Sequence, residues 1–170
     1  SKVKGDGSIG TRVIVDASAG AHSVNEGVRS TASSRPAQEH ARTADVAAIF
    51  ARFAAEGHST YGAVADVSGA YRNCVLAMRD RQLLCYHIGG RWWRECRAPF
   101  GVAASGWSWG VIGDAIVHGC RAAGCAVVRF VDDYGCFGRT LAETAYCVGV
   151  LRFLMAQLHI TESLGKFQPP

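Results

Sequence analysis

Hydrophobic positions change period several times along the chain, and each change marks an element. Lys2-Val3-Lys4 and Thr11-Arg12-Val13-Ile14-Val15-Asp16 are strand-type stretches. The turn formers Gly5 to Gly10 lie between them, so a basic hairpin is predicted. From Asp16 to Gly27 no period is visible. From Arg29 to Glu39 the chain is polar and holds Ser33-Ser34-Arg35-Pro36, which suits a connection. Val46, Ile49, Phe50 and Phe53 then recur at helical spacing, with Thr43 as candidate N-cap and Gly57 as candidate stop. That stripe is expected in the core.

Tyr61 to Val67 reads as a strand carrying Asp66 near its end. Ser68 to Asn73 reads as a turn, and Cys74 to Met78 as a return strand. Leu83–Ile88 and Arg91–Cys96 flank Gly89-Gly90, a strong hairpin signal. Aromatic residues suit strands, so Trp92 and Trp93 are expected in core or sheet-face packing, with stacking on nucleic-acid bases as the other use. His87 is expected on the strand surface. A long helix is predicted from Ala103 to Ala123, with Trp109, Ile112 and Ile116 in its apolar stripe and Gly124 as its stop. Ala126–Val131 and Tyr134–Gly138 predict two strands around Asp132-Asp133. Thr140-Leu141-Ala142-Glu143 has the spacing of a capping box, and Leu141, Ala145, Val148, Leu151 and Met155 mark the following helix. A short strand is expected over Ile160–Ser163. Paired strands alternating with helices give an α+β fold, an antiparallel sheet with helices on one face.

Composition changes this picture little. The 170 residues fit one domain, and the net charge of +4 permits an anionic partner without requiring one. No apolar run approaches a membrane span, so no membrane partner is expected. The seven cysteines lack Cys-x-x-Cys spacing and are odd in number, which suits small buried hydrophobes in a reducing, intracellular compartment, cytoplasm or nucleus. The first residues look like mid-chain sequence, and a segment of a longer protein is expected.

Chemistry enters through three acids. Asp132 and Asp133 sit together between strands, where Asp is common for turn reasons alone. Asp66 lies at a strand end, where an N-cap role is equally ordinary. If these strands are neighbours, three carboxylates converge, and like charges at that spacing call for a cation. Hard oxygen ligands suit Mg²⁺, and a pair of such ions clamps the attacking and leaving oxygens in phosphoryl transfer. Lys4, Arg12 and Lys166 would neutralise a triphosphate.

In that order the motifs resemble the fingers–palm region of a reverse transcriptase of retrotransposon type. Phe130-Val131-Asp132-Asp133 is similar to the aromatic-x-Asp-Asp catalytic hairpin of that family, with Phe in place of the commoner Tyr. Asp66-Val67-Ser68-Gly69-Ala70-Tyr71 is similar to its first metal-binding motif, and Pro99-Phe100-Gly101 to the start of its template helix. Arg12 to Asp16 resembles the fingers strand with the triphosphate Arg, and Leu164-Gly165-Lys166 lies where the family has a Lys near the triphosphate. The stretch Asp16 to Gly27 looks most like the tyrosine-recombinase retrotransposon group.

The resemblance implies template-directed DNA synthesis from deoxynucleoside triphosphates on a primed RNA or DNA template, with two Mg²⁺ ions or Mn²⁺. It implies Asp66, Asp132 and Asp133 as catalytic metal ligands, with Val67 also at the metal. It implies Lys4, Arg12, Val67, Ser68, Gly69, Ala70, Tyr71, Phe100, Gly101 and Lys166 around the nucleotide, with Tyr71 as a steric gate against the 2′-hydroxyl. It further implies one domain fragment over residues 1–170, with about 1–60 and 75–100 as fingers and about 61–74 and 101–170 as palm. Thumb and RNase H regions are expected elsewhere in a parent polyprotein, so the segment alone is not expected to be independently active. Two alternatives carry different expectations: a viral RNA-dependent RNA polymerase palm, disfavoured by Val131 and Tyr71, and a non-catalytic nucleic-acid-binding relic.

Overall fold

The computed structural model describes residues 2–3, 9–10, 16–18, 23–26 and 40–170. Lys4, Arg12, most of the strand expected over Thr11–Asp16 and the connection at 29–39 lie outside the described residues. The chain divides into two units, Ser1–Pro36 with Tyr71–Gly106, and Ala37–Ala70 with Trp107–Pro170.

In the first unit, β1 (Lys2–Val3) pairs antiparallel with β2 (Ile9–Gly10), Val3 facing Ile9. The second strand of this hairpin thus begins inside the stretch expected to be its turn. The return strand expected over Cys74–Met78 does not form. A single bridge joins Val75 to Arg97, and a 3-10 helix starts at Met78. Val75 and Met78 stay exposed, so no burial rewards a longer strand there. β4 (Cys85–Ile88) and β5 (Arg91–Arg94) pair as expected, with Gly89 and Gly90 at φ 61° and 74° in the turn. Trp92 and Trp93 are 77% and 54% exposed, which overturns the expectation of packing: nothing among the described residues lies over the strand that carries them.

The second unit is built on a three-stranded antiparallel sheet in the order β3 (Tyr61–Asp66), β7 (Asp133–Gly138), β6 (Ala126–Phe130). Its register puts Ala63 opposite Cys136, which faces Val127, and Ala65 opposite Tyr134, which faces Arg129. All six residues are buried, so this face is the core side. Two helices serve it. α2 (Ala103–Ala122) turns Trp109, Ile116, Val117 and Cys120 inward, and α3 (Leu141–Gln157) turns in Thr144, Cys147, Val148, Leu151 and Met155. Leu141 is exposed, so the buried stripe of α3 starts one turn later than its apolar pattern suggests. Half of the expected capping box forms: the Thr140 hydroxyl accepts from the Glu143 N–H at 3.1 Å, while the Glu143 carboxylate accepts the Arg139 N–H at 2.8 Å in place of that of Thr140.

The first helix of the chain, α1 (Thr43–Ala55), departs from the single helical layer. Its Phe50 meets Phe137 edge-on at 5.7 Å, on the opposite face of the sheet. Only Phe53 of its expected core stripe is fully buried. Its N-cap is Arg42 and not Thr43: the Asp45 carboxylate accepts the Arg42 N–H at 2.6 Å, closing the first turn from inside the helix. Five of the seven cysteines are buried and none is in a disulfide. Among the described residues no helix is long and apolar enough to cross a membrane.

Candidate active site

Strand alternation separates chemistry from core. Successive side chains point to opposite faces, so residues paired with Asp66 and Asp133 fall on the more open face while Ala65 and Tyr134 point into the core. Asp66 lies directly across from Asp133 in the register. Asp132 occupies the two-residue turn before β7, and its carbonyl accepts the Val67 N–H at 3.0 Å. The end of β3 is held from the other side by residues 161–163: the Ser68 N–H donates to Thr161 O, and the Ser163 N–H donates to Asp66 O, each at 2.8 Å. Three segments far apart in sequence therefore fix the acids.

Asp66 is 6% exposed. Its Oδ2 receives Lys166 Nζ at 2.8 Å, and its buried Oδ1 has no hydrogen-bond partner among the described residues. A buried carboxylate oxygen without a donor is costly unless something else meets it. The Asp133 carboxyl is raised from its ordinary value: loss of solvent raises it most, then the charges of Asp132 and Asp66 and the close approach of the Asp66 carboxylate, against the pull of Lys166. The orphaned oxygen and the hard, all-carboxylate donor set fit a divalent cation of the Mg²⁺ class. As the side chains stand, no three acid, His or Cys groups among the described residues are close enough to form a finished metal site.

Of the other expected site residues, Ser68 and Gly69 are exposed and Val67 and Ala70 buried around the turn after β3, with Gly69 at φ 58°. Tyr71, Phe100 and Gly101 belong to the first unit, where they form a cluster of their own. The Tyr71 and Phe100 rings lie 5.1 Å apart. Gly101 O accepts from Asn25 Nδ2 at 2.8 Å, and Asn25 Oδ1 accepts the Ala103 N–H at 2.7 Å, so Asn25 caps α2 from a distant segment. Asn25 lies in the stretch Asp16 to Gly27, where no hydrophobic period marks it. Lys4 and Arg12 lie outside the described residues.

The turn carrying Asp132 holds a feature the apolar pattern did not signal. Val131 has φ 55°, the left-handed region, where a β-branched residue is a true outlier. Positive φ at the first central position alone marks a type II′ hairpin turn, whose usual residue there is Gly. Two donors converge on the Val131 carbonyl: Trp109 Nε1 at 2.7 Å and an Arg129 guanidinium nitrogen at 2.8 Å. The Arg129 side chain is 3% exposed and pairs with Asp114 of α2 at 2.5 Å. It crosses α2 at Gly113, where a Cβ would lie 2.6 Å from its Nε. One signal was available in the sequence: Arg129 sits on the core face of an otherwise apolar strand, and a buried guanidinium demands partners.

No family model matches the chain, and no curated protein does so. Among solved structures, the chain is similar to a foamy viral protease-reverse transcriptase dRH solved in complex with double-stranded DNA. The TM-score is 0.59 at 15% identity, over 64% of this chain and 19% of that one. The chain thus spans about a fifth of that protein's length. At such identity the likeness shows a shared α+β fold of reverse-transcriptase type and no more.

Proposed function

We propose that this chain carries the catalytic palm chemistry of a nucleotidyltransferase that copies a nucleic-acid template into DNA. The observation that supports it most is the pairing of Asp66 with Asp133 on the open face of the sheet, with Asp132 in the adjoining turn, Lys166 alongside and Asp66 Oδ1 left without a donor. In this reading Asp66, Asp132 and Asp133 hold Mg²⁺ or Mn²⁺. The ions would supply charge neutralisation at the attacking and leaving oxygens of phosphoryl transfer. Lys166 brings a positive charge to the place where phosphate oxygens gather. Tyr71, Phe100 and Gly101, together with Arg12 and Lys4, are assigned to the nucleotide by motif resemblance, and the ligand of the likened structure, double-stranded DNA, agrees with a primer–template partner.

Primer extension on a primed template, with the chain in its natural full-length context, tests this. Asp132→Asn should abolish nucleotide addition and leave the melting temperature close to that of the parent. Extension persisting in that variant would remove Asp132 from the chemistry. The Lys166–Asp66 ion pair favours a second reading in which Asp66 is structural. Lys166→Met separates the two: a raised nucleotide KM with the fold intact belongs to the polymerase, and unfolding belongs to the structural role.

A further inference from the structure

The β4–β5 hairpin is left unused by the proposed chemistry, and its surface is unusual. Every side chain of β5 is exposed, including both tryptophans. Strand alternation and the register put His87, Trp92 and Arg94 on one face, with His87 directly opposite Trp92. The two rings lie 5.2 Å apart at 42°, a preformed aromatic step. On the other face Tyr86 anchors the hairpin through its hydroxyl, which donates to Glu95 at 2.5 Å, and Arg72 holds the same carboxylate at 2.5 Å. The Glu95 carboxylate beside β5 is thereby paired and buried. Arg91, Arg94 and Arg97 form no ion pair among the described residues, so the hairpin presents net positive charge beside its rings.

We infer that this hairpin binds single-stranded nucleic acid, its His87–Trp92 face stacking unpaired bases and Arg94 of that face meeting the phosphates. The choice of ligand rests on the polymerase reading above. The form of the ligand follows from the surface. Open aromatic faces flanked by cations take splayed-out bases, which a duplex keeps stacked inside itself. A second copy of the chain, itself at net charge +4, would bring like charge to a face already bordered by uncompensated guanidinium groups, whereas a polyanionic strand relieves it.

The test is a fluorescence titration of the whole chain with a short labelled oligothymidylate in EDTA, where metal-dependent chemistry is silent. Trp92→Ala should weaken binding about tenfold, from the loss of one stacked base, and Trp92→Phe should recover most of it. Arg94→Gln should lower the salt dependence by about 0.7 in the log–log slope, one phosphate contact on a single strand. Trp92 is exposed, so circular dichroism should be unchanged. Binding unaffected by Trp92→Ala overturns the inference, as does a duplex that competes as well as the single strand. Self-association that Trp92→Ala relieves, without oligonucleotide binding, would assign the face to a second copy of the chain and also overturn it. Intact primer extension with Trp92-independent binding would sink the hairpin role alone, while Trp92-dependent binding in a chain that never extends a primer would sink the polymerase reading alone.

Discussion

Two hairpins of this chain solve the same problem by opposite means. β4–β5 turns through Gly89 and Gly90, both at positive φ, with nothing within 4 Å of where a Cβ would sit. Backbone freedom is supplied by composition, and the turn needs no help. β6–β7 turns through Val131 and Asp132, with Val131 forced to φ 55°. A left-handed L-residue costs roughly 1–2 kcal/mol, and two hydrogen bonds to its carbonyl, one from a charged donor, contribute about that much in return. The glycine turn can form alone. The valine turn is held by tertiary contacts, because both donors reach it from packed positions: Trp109 on the helix and Arg129 on the core side of β6. A tight turn bearing an acid is thus made rigid by tertiary contacts, which is what the proposed cation-holding role of Asp132 would call for.

The largest effect is expected from breaking the clamp. Arg129→Met removes the donor to Val131 and the pairing with Asp114. It should cost about 2–3 kcal/mol in urea denaturation, the range for a hydrogen bond to a charged group plus local repacking. Arg94→Met on the other hairpin, at an exposed position, should stay within about 0.5 kcal/mol. Equal losses at the two positions would show that Arg129 is no more than an ordinary arginine.

A smaller effect should come from exchanging the turn residues. Gly89→Val places a branched side chain at φ 61° without any clamp and should cost about 1–2 kcal/mol. Val131→Gly relieves strain but enlarges the unfolded ensemble, and the two terms nearly cancel, leaving stability within about 1 kcal/mol. Its signature lies elsewhere: primer extension should fall while the melting temperature holds, since the turn loses rigidity and not fold. A Val131→Gly variant with full activity would show that the left-handed valine is incidental.

The contrast also marks what a sequence displays. Gly89-Gly90 announces its turn locally, as do Gly124 after α2 and the Thr140 cap, because each depends on residues within one turn of the chain. The Asp66 and Asp132-Asp133 motifs were equally visible, since acids at strand ends stand out against apolar runs. The left-handed Val131 was not visible, because its stabilisation comes from Trp109, a residue marked only as part of an apolar stripe. Asn25, seventy-eight residues before the helix nitrogen it caps, is hidden for the same reason. Trp92 and Trp93 misled in the other direction: aromatic residues in a strand signal burial only if another layer covers the strand, and coverage is a property of the fold.

The smallest effect separates the hairpins by pH. Glu95 anchors β4–β5, and its carboxyl lies below the ordinary value of about 4.5: burial alone would raise it, but the hydrogen bonds from Arg72 and Tyr86 and the charge of Arg72 outweigh that. A lowered folded value means the stabilisation is fully present above the unfolded pKa and fades as pH falls through the folded one. Tyr86 does the reverse. Burial first, then its bond to Glu95, push its phenol up to about 12, so its contribution is intact below pH 10 and is lost as pH climbs toward 12. The hairpin anchored by these two groups should therefore hold a stability plateau between about pH 5 and 10 and soften on both sides. Amide exchange of β4 and β5 residues, followed against pH after correction for the intrinsic rate, reads this directly. Glu95→Gln should remove the acid limb, and it should weaken the alkaline one only in part, because burial and not Glu95 dominates the rise at Tyr86. The Val131 carbonyl is held by an indole and a guanidinium, with no carboxylate or phenol in either bond. A turn clamped that way should show no pH dependence from its clamp between pH 5 and 10, and unchanged protection of the Trp109 indole N–H over that interval is the measurement that checks it.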